Sequence, residues 1–140
     1  MSAVLDTSAW PFVRWTVTGR LGGDGWVDVH DTYREEVLAR GEPFVQLWDF
    51  TGGLSLDPKQ RHQIVEHSKP LQELERRFLR ADAWVSPSWL VRGSLSALHL
   101  ILRPPFPSRI FASVAEGEHF VLRHHPSAPR RSSAPPLVAE

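Results

Sequence analysis

The chain contains no cysteine. That excludes a disulfide scaffold, thiol chemistry and every cysteine-bearing zinc or iron–sulfur site. It carries no net charge either, since 16 basic residues cancel 16 acidic ones. Affinity for a phosphate backbone needs net positive charge or a concentrated basic face, so the balance argues against a generic nucleic-acid binder. No apolar run reaches the roughly 18 residues of a membrane span. The densest segment, Trp89 to Leu102, is interrupted by Arg92, Ser94, Ser96 and His99. The opening MSAVLDTSAW has neither a basic n-region nor an apolar h-region, so no secretory leader is expected. The expectation is a soluble, cytoplasmic protein with no membrane insertion. With 140 residues, 41% hydrophobic and 23% charged, it has the composition of a single globular domain able to bury its own core.

Punctuation along the chain alternates strands with helices. In Pro11 to Leu21, Val13, Trp15 and Val17 alternate with Arg14, Thr16 and Thr18, the period of a strand that opens at Pro11. Asp24 then caps a helix carrying Trp26, Val29, His30, Tyr33 and Val37 at three- and four-residue spacing, and Gly41 ends it. Pro43 to Phe50 is a second strand, followed by the loop TGGLSL. Asp57, Pro58 and Gln60 form a strong helix start, and Pro70 kinks that helix or divides it in two. Ala81 to Ser86 reads as a third strand. The helix Trp89–Leu102 is apolar nearly all round, which predicts burial on two sides, in the core or in a subunit interface. Arg109 to Ala112 is a fourth strand, and Ser113 with Glu116 is a capping box for a last helix. From His125 the chain is proline, serine and alanine with nothing to bury, so residues 1–124 are read as the domain and 125–140 as a disordered tail. Strands alternating with helices need crossovers. The fold class is therefore α/β, a small mainly parallel sheet of four or five strands flanked by helices.

Several sites of familiar chemistry are argued against by spacing. Gly19, Gly22, Gly23 and Gly25 do not form a dinucleotide fingerprint, and Asp24 would set a negative charge beside a pyrophosphate. His62 and His67 are five apart on a helix and diverge, while His62 and Glu66 make an ordinary i,i+4 pair. Ser55 follows Gly53 but lacks the second glycine of a nucleophile elbow. No cofactor, no metal and no catalytic activity are expected.

From about Val13 to Leu122 the chain resembles the STAS-like group, domains related to anti-sigma-factor antagonists and the cytoplasmic ends of sulfate transporters. The residues that carry the resemblance are the strand PFVQLWDFTG, the helix start DPKQR, and the blocks WVSPSWLVRGSLSAL and PPFPSRIFAS. The resemblance implies a small sheet flanked by helices and a non-enzymatic regulatory or adaptor role, binding partner proteins. Antagonists that switch by phosphorylation carry a serine, typically in Ser-Ser-Gly, at the helix after the aspartate-ended strand. Here Thr51 and Ser55 are the hydroxyls in that region, and neither sits in that motif.

In a parallel sheet the loops after the strands meet at one edge, where helix N-termini converge and ligands bind. This places Asp49, Thr51, Ser55, Trp89 and Arg92 together as the candidate binding site. Arg92 stands near the positive pole of an apolar helix and needs an acceptor. An ion pair with Asp49 is the leading reading, and an external anion the other. The alternative function is a sensor holding a small anionic or apolar ligand at the carboxyl edge of the sheet. The helix Trp89–Leu102 suggests a weak homodimer beside an unnamed protein partner.

Overall fold

The structure, a computed structural model, describes residues 1–127. The segment expected to be a tail lies outside the described residues from 128 onward. In chain order the elements are β1 (Ser2–Ala9), β2 (Phe12–Arg20), α1 (Gly23–Glu36), β3 (Phe44–Asp49), β4 (Leu54–Ser55), α2 (Pro58–Ser68), α3 (Gln72–Phe78), β5 (Leu79–Val85), α4 (Trp89–Leu102), β6 (Ser108–Phe111) and α5 (Val114–Leu122). The sheet runs β1-β2-β3-β5-β6. Among the described residues only the β1–β2 hairpin is antiparallel; β2–β3, β3–β5 and β5–β6 are parallel, and β4 pairs with the end of β2. The α/β class is as the sequence predicts, with six strands where four or five are expected.

Local chemistry explains most boundaries. The Asp57 side chain accepts from the Gln60 N–H while the Gln60 side chain accepts from the Asp57 N–H, closing the predicted capping box. Pro70 divides the helix as its missing donor requires, leaving a 3-10 turn, Lys69–Leu71, between α2 and α3. Gly41 takes the left-handed conformation (φ 62°) that ends the turn after α1.

Four readings need correction. The sheet begins not at Pro11 but with β1, whose inward positions Ala3 and Leu5 are too few and too small to announce a strand. The cap of α1 is Gly22, and Asp24 lies inside the first turn, near the positive pole of the dipole. At α5 the Ser113 hydroxyl accepts from the Glu116 N–H, but the Glu116 carboxylate accepts from that same hydroxyl, so the box is only half made. Finally, α4 buries one side only: Leu95, Leu98 and Leu102 point inward, whereas Trp89, Leu90, Leu100 and Ile101 are exposed.

The two sheet faces are unlike. On one, Val45, Leu47, Ala81, Ala83 and Val85 pack under Phe120 and Val121 of α5. Gly117 allows this approach, because a Cβ there would lie 2.8 Å from Val85 Cγ2 and 3.1 Å from Leu47 Cδ1. The other face is covered by α1 to α4 and carries the aromatic core. Trp15, Trp48 and Trp84 are register partners across β2, β3 and β5. The Trp15 and Trp48 rings stack at 4.9 Å, 3° from parallel.

Buried indoles need acceptors. Trp15 Nε1–H donates to Gln46 Oε1 (3.0 Å), and Trp84 Nε1–H donates to Asp82 Oδ2 (3.0 Å). The other oxygen of Asp82 is buried without a partner. Burial raises the Asp82 pKa from 3.8 to about 7, against the pull of Ser108 and Trp84. Between those two values the folded chain holds a proton that the unfolded chain has released, so stability falls as pH rises through this window. Asp82→Asn keeps the acceptor and removes the titration. It should therefore lessen the loss of urea stability between pH 5 and 8, the remainder coming from buried Glu75, with a gain over wild type of about 2–4 kcal/mol at pH 8. Equal pH slopes for the two proteins would contradict this account.

Candidate functional site

The carboxyl edge is assembled by backbone bonds between successive strand ends. The Phe50 N–H donates to Val85 O (2.9 Å) and the Ser86 N–H to Phe111 O (3.0 Å). The loops after β3, β5 and β6 thus meet as the parallel topology requires, but their polar side chains are occupied locally.

Asp49 ends β3 and is almost fully buried. Its Oδ1 accepts from the Thr51 N–H (2.9 Å) and hydroxyl (2.6 Å), and its Oδ2 accepts from Arg14 Nη2 at 2.6 Å. Burial pushes the carboxyl upward, but the Thr51 donors and then Arg14 outweigh it, leaving the pKa below the ordinary 3.8. The expected Asp49–Arg92 pair is therefore incorrect. Arg14 and Asp49 lie on the same face of adjacent strands, opposite Trp15 and Trp48, whereas Arg92 belongs to another cluster. Its Nη1 donates to Ser86 O (3.0 Å), across a turn in which Ser86 Oγ accepts from the Ser88 N–H and Ser88 Oγ from the Val91 N–H. A local carbonyl supplies the acceptor that Arg92 needs.

Ser55 lies on β4 with an exposed side chain, and Trp89, the first residue of α4, is 72% exposed. Between these two segments runs a groove of about 160 Å³, lined by Leu54, Leu56, Leu90, Val91 and Ser94. The structure thus joins the Ser55 and Trp89 segments around a groove and sets Asp49 and Thr51 apart with Arg14. The groove's own lining was not legible in sequence, because Leu54 and Leu56 sit in a loop with no periodicity to give them a face.

A second concavity lies beneath the edge, between the sheet and α1 to α4. It measures about 60 Å³ and is walled by Trp26, His30, Trp48, Ser68, Glu75 and Trp84 among others. Tyr33 donates to Glu75 Oε2 at 2.7 Å, and burial raises the Glu75 pKa from 4.5 to about 8. Burial, followed by the nearby His67, lowers His30 to about 4. Trp26 Nε1–H is buried with no acceptor. Among the described residues, no three His, Asp or Glu side chains gather as a metal site, and no helix is long and apolar enough to cross a membrane.

The architecture of the described residues is that of a small, mostly parallel α/β domain with a hairpin edge, four helices on one face and one on the other. No protein-family model and no curated protein matches the sequence. Among solved structures it is similar to an uncharacterized protein of the DUF3478 family, with a SpoIIAA-like fold, from Shewanella loihica PV-4. The two are 12% identical, with a TM-score of 0.60 over 86% of this chain and 92% of that one. The chain has the SpoIIAA-like fold, the architecture that the STAS-like resemblance implies.

The rearranged pairing is directly testable. In a double-mutant cycle, Arg14→Ala and Asp49→Ala should couple by ~1 kcal/mol, a modest value because Arg14 is partly exposed. Arg92→Ala and Asp49→Ala should be additive. Strong Arg92–Asp49 coupling would restore the pairing expected from sequence.

Proposed function

We propose that the chain is a non-enzymatic regulatory or adaptor domain that works by protein–protein contact, with α4 and the adjoining carboxyl edge as its contact face. The observation that carries this reading is the outer side of α4. Four large apolar side chains, Trp89, Leu90, Leu100 and Ile101, stand 51–78% exposed on one helix. Single exposed apolar residues are ordinary, but four large ones along the outward side of one helix, a pair at each end and a tryptophan among them, mark an interaction surface. The SpoIIAA-like fold agrees with this reading. The edge supports it too, since Asp49, Thr51 and Arg92 are engaged with their own neighbours rather than poised around a reacting atom. Wild-type chain immobilised in host extract should retain a protein that the Trp89→Ser/Leu100→Ser chain loses, at equal melting temperature. Identical capture by both chains would reject α4 as the contact face.

A second reading, a sensor for a small apolar molecule, is favoured by the cavity, whose aromatic wall includes Trp26. Its volume, room for about four or five waters, suits only a compact molecule. Tetrahydrofuran is a suitable probe. It should shift the Trp26 indole N–H resonance saturably, and a linear or absent shift would reject this reading.

A further inference from the structure

The outer face of α4 has an internal order that its hydrophobicity alone does not require. On its outward side, side-chain sizes mirror one another about Leu95: Ser94 and Ser96 lie one residue to either side, Gly93 and Ala97 two, Leu90 and Leu100 five, and Trp89 and Ile101 six. The pairs three and four away, Arg92 with Leu98 and Val91 with His99, do not match, and Leu98, Val91 and His99 pack toward the core. Small residues occupy the middle and large ones both ends. The four large residues are exposed, as are Gly93 and Ser96, while Ser94 and Ala97 are half-buried. Leu95 itself points into the core, so the mirrored positions lie on the outward side.

A two-fold axis imposes this kind of pattern, because residue i must meet j while j meets i. We infer that α4 packs antiparallel against α4 of a second copy of this chain, with the axis beside Leu95. In that register Trp89 faces Ile101 of the second copy, Leu90 faces Leu100, and Gly93 faces Ala97. The small central residues let the helix axes approach to about 8 Å, and the large residues close the ends. None of the mirrored residues is charged, so like charges do not meet at the axis. The four large side chains expose on the order of 500 Å² per copy. Two copies together bury about 1,000 Å², the lower limit for a specific interface, so the dimer is weak and reversible.

This inference rests on the reading of α4 as a protein-contact face and names the occupant. Sedimentation velocity should show a concentration-dependent dimer that Leu100→Glu weakens by at least ~30-fold, through a charge brought to an apolar contact. Ala97→Glu, nearer the axis, should do the same. Register is read by disulfides, which can form only between introduced thiols because the chain has no cysteine. Gly93→Cys chains mixed with Ala97→Cys chains should cross-link, each variant alone doing so poorly, since identical positions are offset by about 6 Å along the antiparallel pair. Efficient linking of each variant with itself would overturn the antiparallel register. A dimer indifferent to both glutamates, or a monomer at ~1 mM, would overturn the inference altogether. In the monomer case, capture that depends on Trp89 and Leu100 would keep α4 as a face for a different protein, and loss of both results would remove that reading too.

Discussion

Burying an indole is costly unless its N–H finds an acceptor, and this chain sets three indoles side by side across the centre of its sheet. Trp15, Trp48 and Trp84 supply a large apolar area between sheet and helices. They also bring polar groups into the core that apolar packing alone would exclude. Trp15 draws in Gln46, which is fully buried and donates in turn to the Tyr33 hydroxyl; Tyr33 donates to Glu75. One chain of bonds thereby ties β2 and β3 to α1 and α3. Trp84 draws in Asp82. Burial raises both carboxyl groups well above their ordinary range, which favours their protonated forms inside the core.

The unequal covering of the two sheet faces follows from what each strand presents. Alanines and valines on β5 and β3 let a single helix, with Gly117 against the sheet, close one face. The tryptophan face is bulkier and takes four helices, which do not meet perfectly over it. The residual cavity with the orphaned Trp26 N–H lies under that junction. The last of the four helices, α4, has covered its share of the core with Leu95, Leu98 and Leu102. Its remaining apolar side chains have no element of the described chain above them.

Much of this was legible because local chemistry decides it. Asp57, Pro58 and Gln60 can hardly do anything but start a helix, Pro70 must interrupt one, and Ser88 with the prolines after Leu102 bounds α4. What escaped depends on partners distant in sequence. β1 becomes a strand by pairing with β2, its own residues being small and mixed. β4 is two residues that extend β2. The partner of Asp49 was within reach, since period two puts Arg14 opposite Trp15 and Asp49 opposite Trp48, hence both on one face of neighbouring strands. Hydropathy alone reported α4 as apolar all round, whereas the division of its leucines between core and surface is set by the sheet beneath.

The carboxyl edge of an open α/β sheet usually recognises ligands with free helix N–H groups and unspent side chains. Here those resources are largely committed. The hydroxyls of Ser88 and Ser113 cap their own helices, Arg92 holds the Ser86 carbonyl, and Thr51 and Arg14 satisfy Asp49. An incoming anion would have to displace bonds already made, at the cost of stranding a nearly buried carboxylate or carbonyl. Apolar contact asks for no such exchange, since Trp89, Leu90, Leu100 and Ile101 lose only water on association. The same economy that makes the edge a poor anion site supports the proposal of α4 as a face for protein contact.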